Sequence, residues 1–426
     1  MGSVTRTEEQ TAPSTPHEGA LGREVLLVAF PEPRCLPVPP SGEPIGRDWL
    51  ERFGVVDPKS SREHLVFDRR GGALRVADLG SRNGTWVNGE RLAPNEPVSL
   101  DNGFVIRAGR TLFVFRDELS GPDAADAPLG TLVSPFGMRA VRAELARICS
   151  RSPSNVLIEG ETGTGKELIA QAIAARLGRS KRYAAVNLAG IPAGVFDSQL
   201  FGYVPGAFSG GGKGSRGVFL AHDGGAVFLD EIGELPAELQ PKLLRVLDNR
   251  EVFPVGATEP RKVDLVLISA TNRPLAEMVE AGTFRRDLHA RLSAARIELP
   301  PLRERPEDIA SIVWADASGR RVAYEPRLVE VEALERLMLH AWPANVRELV
   351  SVLQRISSLE PPPALRAWAV DQVLGPHPSH PNMVLTLQAV ERALAAAQGN
   401  ESAAARALGV TRGKLRRLLF RARVPR

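Results

Sequence analysis

The sequence predicts a multidomain chain with an all-β sandwich, an α/β domain and a small all-α helix-turn-helix, in that order. The first reason is length, because 426 residues exceed the size of one ordinary domain. The second is a change of pattern along the chain. Short β-type runs occupy residues 25–115, a strand, a glycine-rich turn and a helical pattern follow near residue 160, and Gly409 separates two helical patterns near the C-terminus.

Composition limits the class of protein. A hydrophobic content of 43% and a charged content of 24% are typical of a soluble globular protein. No apolar run approaches membrane-spanning length, and residues 1–20 lack the apolar segment of a signal peptide. Cys35 and Cys149 lie in no metal-site or disulfide pattern, so we expect reduced thiols. The sequence therefore predicts a cytoplasmic protein with no membrane partner.

The N-terminal quarter of the chain reads as a disordered segment followed by a β domain. Residues 1–22 contain many Thr, Glu, Ser and Pro residues and are predicted to be disordered. Residues 23–118 contain short apolar runs separated by Gly and Asn turns. The runs cover residues 25–30, 64–67, 73–76, 85–87, 104–106 and 111–115. Short strands at even spacing predict a β-sandwich.

Three polar signatures lie in the loops of this sandwich. They read G-R at residues 46–47, S-R-E-H at residues 61–64 and G-S-R-N-G-T at residues 80–85. Together they resemble the forkhead-associated (FHA) domain, which binds phosphothreonine peptides. The alternative is that the Gly-Arg and Asn-Gly pairs serve only as turns.

The FHA resemblance implies a phosphopeptide site in these loops. By this resemblance Arg47, Ser61, Arg62 and Asn83 contact the phosphopeptide, and His64 braces the loops. The residue types suit the chemistry, because a guanidinium matches phosphate geometry, a hydroxyl donates a hydrogen bond and an asparagine amide can hold a peptide backbone. The implied partner is a protein that carries phosphothreonine.

A phosphate-binding loop opens the α/β domain. Residues 119–131 read as a polar linker, and the domain is predicted over residues 132–360. An apolar strand at 156–158 precedes the loop, and a helical pattern follows it. Glycines let backbone amides and the helix N-terminus point at one anion, while the loop lysine adds charge for the outer phosphates. The predicted ATP-binding residues are Gly160, Glu161, Thr162, Gly163, Thr164, Gly165, Lys166 and Glu167. Glu167 stands where a Ser or Thr hydroxyl normally reaches magnesium.

A second apolar strand ends in two carboxylates. Residues 224–231 read G-G-A-V-F-L-D-E, and Asp230 and Glu231 close the strand. A carboxylate at a strand end can hold Mg²⁺, and its neighbour can polarise a water. We assign the first role to Asp230 and the second to Glu231. The cofactors expected beside the phosphate loop are therefore ATP and Mg²⁺.

A glycine-dense segment at residues 200–217 carries the most specific resemblance in the chain. It contains G-A-F-S-G-G, which is similar to the G-A-F-T-G-A signature of the AAA+ domain in bacterial enhancer-binding proteins, the activators of sigma-54 RNA polymerase. The resemblance covers residues 133–358. It includes the phosphate loop, the acidic strand and further motifs at residues 270–273, 284–288, 299–305 and 342–349.

The resemblance implies roles for residues outside the phosphate loop. Asn187 matches the switch residue that holds the catalytic glutamate, and Thr271 with Asn272 matches the first sensor of the γ-phosphate. Arg285 and Arg291 match arginine fingers that reach the ATP of a neighbouring subunit, and Arg347 matches the second sensor. The alternative for each arginine is an ordinary surface salt bridge. The resemblance also implies a helical lid and a homo-oligomer, from a dimer up to a hexameric ring.

The signature loop is the implied contact with sigma-54. Its residues are Gly206, Ala207, Phe208, Ser209, Gly210 and Gly211. Ser209 replaces the usual Thr and Gly211 the usual final Ala, whereas the aromatic Phe208 is retained. Tyr203-Val-Pro precedes the loop in place of the usual polar residues. Added glycine increases the entropy lost when the loop takes one shape.

The C-terminal segment is predicted to bind DNA. Residues 361–383 are rich in proline and read as a linker, and residues 384–426 read as helix, Gly409 turn and helix. This segment resembles the Fis-type helix-turn-helix of the same activators. From residue 399 onward eight basic residues oppose one acidic residue, Glu401, and such a charge favours DNA. The implied DNA-binding residues are Thr411, Arg412, Lys414, Arg416 and Arg417.

These features together predict a transcriptional activator. It would bind double-stranded DNA upstream of target promoters, hydrolyse ATP and act on sigma-54 RNA polymerase under phosphothreonine control. One alternative is a DNA-bound, phosphoprotein-binding regulator or repressor with weak or vestigial remodelling, which the altered loop supports. Another is a free-standing AAA+ chaperone, which the basic C-terminal helix opposes.

Overall fold

The computed structural model describes residues 23–207, 213–315 and 324–375. Three predictions lie outside these ranges: the disordered residues 1–22, the loop residues Phe208, Ser209, Gly210 and Gly211, and the helix-turn-helix at 384–426. The described ranges contain the sandwich, the α/β domain and a helical lid.

The predicted β-sandwich is confirmed over residues 23–119. Its strands are β1 (Arg23–Phe30), β2 (Arg34–Pro37), β3 (Pro44–Ile45), β4 (Leu65–Arg70), β5 (Ala73–Asp78), β6 (Thr85–Val87), β7 (Glu90–Arg91), β8 (Val98–Ser99), β9 (Val105–Ala108) and β10 (Thr111–Leu119), and helix α1 (Arg47–Arg52) follows β3. One antiparallel sheet has the order β2-β1-β10-β9-β6-β7 and the other β3-β4-β5-β8. The loops before β4 and β6 contain two of the three polar signatures, and the third lies at the start of α1.

Strand β1 is buried on both faces. Leu26 and Val28 belong to the core between the two sheets. Val25, Leu27 and Ala29 belong to a second core that includes the helices of the lid. Because both faces are covered, β1 has no polar alternation, and its sequence V-L-L-V-A-F is continuously apolar.

The α/β domain is a parallel five-stranded sheet between two layers of helices. Its strands are β11 (Asn155–Glu159), β12 (Tyr183–Asn187), β13 (Ala226–Asp230), β16 (Val266–Thr271) and β17 (Arg296–Glu298), and a separate hairpin joins β14 (Glu251–Val252) to β15 (Arg261–Lys262). The sheet order is β12-β13-β16-β11-β17. The helices are α2 (Arg139–Cys149), α3 (Lys166–Arg176), α4 (Phe196–Phe201), α5 (Gly217–Ala221), α6 (Gln240–Asn249), α7 (Leu275–Glu280) and α8 (Arg286–Leu292). Parallel strands bring their carboxyl ends to one edge, where a ligand can meet residues from several of them.

The lid consists of helices α9 (Ile309–Trp314), α10 (Val331–Met338), α11 (Asn345–Leu359) and α12 (Ala367–Leu374). Trp342 is fully buried in its core. Residues 361–383 are predicted to be a linker, but the structure places α12 inside this range. Ala369 and Val370 of α12 are fully buried in the lid core. The prolines at 361–363 mark a turn before this helix, and the apolar face of α12 then packs back onto the lid.

The sandwich packs directly against the lid. Residues of β1 and β10 share one hydrophobic core with α9, α10 and α11. Arg107 of β9 donates to Glu335 of α10 at 2.7 Å, and Arg116 of β10 donates to Glu307 at 2.6 Å. None of the helices in the described ranges has the length and apolar character needed to cross a membrane.

Candidate functional site

The phosphate-binding loop runs from the end of β11 to the start of α3. Gly160, Gly163 and Gly165 have φ values of 156°, 79° and 107°, a range that disfavours side chains. The Lys166 ammonium donates to the carbonyls of Gly160 at 2.9 Å and Glu161 at 3.2 Å. Burial lowers the pKa of Lys166, and the carboxylates of Glu231 and Asp230 act in the opposite direction. The predicted lysine therefore lies over the loop, near both acidic residues.

Asp230 is the last residue of strand β13 and Glu231 follows it; β16 separates β13 from β11. Asp230 accepts a hydrogen bond from the backbone N–H of Glu231 at 3.0 Å. Glu231 adopts a left-handed conformation with φ 56°, which is rare for a residue with a side chain. In that conformation its carboxylate accepts a hydrogen bond from the backbone N–H of Asn272 at 3.4 Å.

Asn272 joins the two halves of the nucleotide site. It follows strand β16, and its side-chain amide donates to the Thr162 hydroxyl at 2.9 Å. Its neighbour Thr271 is buried, and the Thr271 hydroxyl accepts from the N–H of Arg273 at 2.9 Å. The structure thus places Asn272 between the phosphate loop and Glu231, whereas Thr271 supports the backbone that positions Asn272.

Asn187 lies beside the acidic strand, but its side chain hydrogen-bonds to the turn that follows it. It ends β12 and is in register with Asp230 of β13. Its side-chain oxygen accepts from the backbone N–H of Ala189 at 3.0 Å. In this structure the predicted switch residue is therefore close to the acidic pair and hydrogen-bonded to its own chain segment.

The two predicted arginine fingers are exposed at the two ends of α8: Arg285 directly precedes the helix, and Arg291 lies in its last turn. Arg285 pairs with Asp287 at 2.8 Å and Arg291 pairs with Asp248 at 2.9 Å. The side chains of both arginines are nearly half exposed, at 49% and 45%. Neither pairs with the phosphate loop of its own chain in the described structure. This exposure is what a residue acting on a neighbouring subunit requires.

The lid residues nearest the phosphate loop include Arg347, the predicted second sensor. A Cβ added to Gly163 would lie 3.0 Å from the Cβ of Arg347 and would overlap the Ala344 carbonyl. The backbone N–H of Val346 donates to the Gly163 carbonyl at 3.0 Å. Gly163 is therefore needed for the close approach of loop and lid, and Arg347 lies at that contact.

Three further residues bind the phosphate loop although no role was predicted for them: Arg303 and Arg305, which precede the lid helices, and Asn345 of the lid. Arg303 pairs with Glu161 at 2.7 Å, and Asn345 donates to the same carboxylate at 3.1 Å. Arg305 donates to the Thr164 carbonyl at 3.0 Å and is 1% exposed. The motifs that contain them, at residues 299–305 and 342–349, are part of the family resemblance, but the resemblance assigned these three residues no role.

The phosphopeptide residues predicted in the sandwich lie around one loop, residues 57–63. Arg47 donates to the carbonyls of Pro58 at 2.9 Å and Ser60 at 3.1 Å. The Ser61 hydroxyl accepts from the N–H of Arg82 at 3.1 Å, and the Asn83 amide donates to the Lys59 carbonyl at 2.6 Å. Arg62 is exposed in the same loop. The structure therefore brings all four predicted residues to one surface.

His64 and Gly46 explain how these loops keep their shape. The buried His64 ring bonds the Ser61 N–H at 3.1 Å and the Gly84 carbonyl at 3.1 Å, so it joins two of the polar loops. Burial lowers the pKa of His64. A Cβ added to Gly46 would overlap the Arg62 carbonyl. Only glycine permits this approach between the first signature and the second.

The loop predicted to contact sigma-54 leaves the α/β domain at a paired base. Tyr203 and Ser215 exchange backbone hydrogen bonds of 2.9 Å, and the N–H of Val204 donates to the Val255 carbonyl at 3.0 Å. Gly206 and Ala207 follow this base. The rest of the loop and the predicted DNA-binding residues Thr411, Arg412, Lys414, Arg416 and Arg417 lie outside the described residues.

Comparison with known families agrees with the three parts of the structure. The chain matches the sigma-54 interaction domain over residues 135–298, the FHA domain over residues 44–109 and an AAA+ ATPase lid domain over residues 303–383. The lid match includes α12, in keeping with its packing.

Individual relatives cover a large part of the chain. ZraR of Klebsiella oxytoca, a transcriptional regulatory protein, is 40% identical over 309 residues, which cover 67% of this chain and 69% of ZraR. UacR of Escherichia coli (strain K12) is 41% identical over 263 residues, and the chain spans 44% of its length. The crystal structure of NtrX from Brucella abortus matches over 69% of both chains, with 30% identity and a TM-score of 0.50. The chain belongs to the family of sigma-54-dependent transcriptional regulators, with an FHA domain placed before its AAA+ ATPase domain.

Proposed function

We propose that this protein is a DNA-binding transcriptional activator that uses ATP hydrolysis to remodel closed complexes of sigma-54 RNA polymerase. Its FHA domain receives a phosphothreonine signal, and its C-terminal segment binds double-stranded DNA upstream of target promoters. The observation that carries the proposal is the position of Asn272. This residue donates to Thr162 in the phosphate loop and to Glu231 on the acidic strand, so it connects nucleotide binding to the group that orients water.

The chain supplies the groups that phosphoryl transfer to water requires. The loop amides and Lys166 bind the phosphates, and Glu231 polarises the attacking water. The described residues contain no cluster of three metal-ligating side chains, which fits a Mg²⁺ held mainly by phosphate oxygens and one carboxylate, Asp230. When bound there, Mg²⁺ neutralises charge on the phosphates.

Completion of the site needs a second subunit. Arg285 and Arg291 are exposed and pair with Asp287 and Asp248 rather than with their own phosphate loop, so we assign them to the ATP of a neighbouring subunit in a homo-oligomeric ring. There each would exchange its carboxylate partner for the developing charge on the transferred phosphate. Asn187 would leave Ala189 and hold Glu231 until the ring is assembled, and Arg347 would couple lid position to the nucleotide.

Two variants test the assignment of the nucleotide site. Lys166→Ala should lose ATP binding, whereas Glu231→Gln should bind ATP and hydrolyse it about 10²–10⁴-fold more slowly, because only the water-orienting group is lost. Glu234→Gln is the matched control, since Glu234 lies one turn further on and pairs with Arg273 at 2.6 Å. Binding by calorimetry and phosphate release would be measured. Wild-type hydrolysis by the Glu231 variant would refute the proposal.

A second candidate function follows from the altered loop. Ser209, Gly211 and residues 203–205 depart from the family pattern, which favours a DNA-bound, phosphoprotein-binding repressor with weak remodelling. Transcription from a sigma-54 promoter with purified protein, polymerase and ATP separates the two functions. An activator should lose promoter opening in Phe208→Ala while keeping hydrolysis, and Ser209→Thr should preserve or raise opening. Transcription that is absent in the wild type, or unchanged by Phe208→Ala, would favour the repressor.

A further inference from the structure

A cleft lies where the FHA domain meets the lid, and we call it the junction cleft. Its volume is about 420 Å³, within the range of ligand sites at domain boundaries, which is about 300–1,000 Å³. The FHA domain contributes Lys59 and Arg110, and the lid contributes the remaining residues: Arg327, Leu328, Val329, Glu330, Val331, Glu332 and Arg366. Four of the lining side chains are basic and two are acidic, so the cleft carries an excess of positive charge.

The junction cleft is continuous with the phosphopeptide loop. The carbonyl of Lys59 accepts the amide of Asn83, one of the predicted peptide-binding residues, at 2.6 Å. The same Lys59 lines the cleft. Arg47 donates to the carbonyls on either side, those of Pro58 and Ser60. A peptide held by Arg47 and Asn83 would therefore leave the FHA surface next to the cleft.

Asp57 holds together the two FHA residues that line the cleft. Its side chain is buried and accepts the N–H of Lys59 at 2.9 Å and the N–H of Arg110 at 2.7 Å. The Arg110 guanidinium then donates to the lid carbonyls of Pro326 and Val329, both at 3.1 Å. Through these contacts the loop that bears the phosphopeptide residues has a defined position relative to the lid.

Two cations in the cleft are open to an external anion. Of the cleft's acidic residues, Glu332 pairs with Arg107 at 3.0 Å and Glu330 accepts the N–H of Ala367 at 2.9 Å. Arg366 pairs with Glu360 at 2.9 Å. Lys59 and Arg327 are exposed, and no carboxylate in the described ranges pairs with either side chain.

We infer that the junction cleft binds acidic residues that flank the phosphothreonine, so that one peptide contacts both the FHA domain and the lid. This inference rests on the proposed phosphothreonine function and names the class of partner: a phosphothreonine segment with Asp or Glu residues beside it. Two solvent-accessible charge pairs should improve affinity about five- to tenfold at low salt. Because the ligand contacts both domains, its binding favours the arrangement in which they are docked.

The test is calorimetric titration of the full chain with four peptides at low salt. One carries phosphothreonine between uncharged residues. Two others carry the same phosphothreonine with three acidic residues before it or after it. The fourth is the unphosphorylated acidic peptide. We expect one acidic phosphopeptide to bind about five- to tenfold more tightly than the neutral one, with the gain reduced at high salt. The unphosphorylated peptide should bind far more weakly than any of the three.

Charge-removal variants identify where the gain arises. Lys59→Gln and Arg327→Gln should reduce the gain from acidic residues and leave binding of the neutral phosphopeptide unchanged. Arg355→Gln, at an exposed position on α11, is the matched control and should change neither. Equal affinity for neutral and acidic phosphopeptides, or a gain that survives both variants, would overturn this inference while leaving the phosphothreonine function intact. If phosphorylation makes no difference to any peptide, the proposed signal itself is refuted, and the inference with it.

Discussion

Glu231 has a strained backbone conformation that positions its carboxylate. Its left-handed conformation, with φ 56°, costs about 1–3 kcal/mol for a residue that is not glycine. The same conformation brings its carboxylate to the backbone of Asn272 at the edge of the phosphate loop. Strain of this kind persists only where neighbouring contacts fix it. Here the preceding strand β13 is held in register between β12 and β16 up to Asp230, the residue before Glu231.

Gly46 provides the prediction at this scale. We expect Gly46→Ala to lower the free energy of unfolding by about 1–3 kcal/mol, because the added methyl would overlap the Arg62 carbonyl and must displace the loop. Phosphopeptide binding should weaken with it. Gly190→Ala is the control, since a Cβ there meets nothing within 4 Å. Chemical denaturation gives the stability of the two full-length variants, and calorimetric titration gives their affinity for a phosphothreonine peptide. An unaltered midpoint in Gly46→Ala would contradict the close approach.

At the scale of elements, the sequence predicts those strands and loops whose pattern lies in consecutive residues. The apolar runs locate β1, β4, β5, β6, β9 and β10, and the glycine loop and the acidic strand end are both readable because their chemistry lies in consecutive residues. Two-residue strands such as β3 and β8 show no alternation and escape detection. The roles of Arg303 and Asn345 depend on docking of the lid, and that of Asp57 on a turn some 50 residues away, at Arg110. Such contacts leave no local pattern.

Strand β1 yields a prediction because its faces serve different cores. Leu26→Ala and Leu27→Ala should each cost about 2–5 kcal/mol, since both side chains are almost fully buried. Of the two residues, only Leu27 lies in the core shared with the lid. Leu27→Ala should therefore increase amide hydrogen exchange in α10 as well as in the sandwich, whereas Leu26→Ala should increase it in the sandwich alone. Hydrogen exchange with mass spectrometry compares the two variants directly. Equal protection of α10 in the two variants would contradict the prediction that, of the two residues, Leu27 alone links the sandwich to the lid.

At the scale of the whole molecule, a series of contacts connects the FHA domain to the phosphate loop. Arg116 binds Glu307, whose neighbour Asp308 lies 3.6 Å from Arg305, and Arg305 reaches the Thr164 carbonyl. Burial raises the pKa of Asp308 to about 6. Asp308 also accepts the Ser134 hydroxyl at 2.5 Å, so the segment after the linker joins the same cluster. A change in FHA docking therefore has a physical route to the nucleotide site.

The interface should also respond to pH through Glu335. Burial raises the pKa of Glu335 to about 7 even though Arg107 opposes the shift. The folded state then binds more protons than the unfolded state between about pH 4.5 and pH 7, so the free energy of unfolding should fall as pH rises through that window, by about 2–3 kcal/mol from this group. Glu335→Gln should remove that decrease. Glu332→Gln, which removes an exposed carboxylate paired with the same arginine, should keep it. Denaturation curves at several pH values measure how the free energy of unfolding changes with pH. The same fall with pH in Glu335→Gln as in the wild type would contradict the assignment.

The last prediction concerns the ring. If Arg291 acts on a neighbour's ATP, Arg291→Ala subunits bind nucleotide but provide no Arg291 finger to a neighbour. Lys166→Ala subunits provide that finger but cannot bind nucleotide. Each variant alone should be inactive, with the finger worth about 10³–10⁵ in rate. A one-to-one mixture should recover hydrolysis at about a quarter of interfaces, those where a Lys166→Ala subunit presents its arginine to an Arg291→Ala site. The control is the double variant Lys166→Ala/Arg291→Ala mixed with Arg291→Ala, a mixture in which no subunit carries Arg291 and which should stay inactive. Activity that fails to return at any mixing ratio, in samples shown to co-assemble, would confine Arg291 to its salt bridge with Asp248.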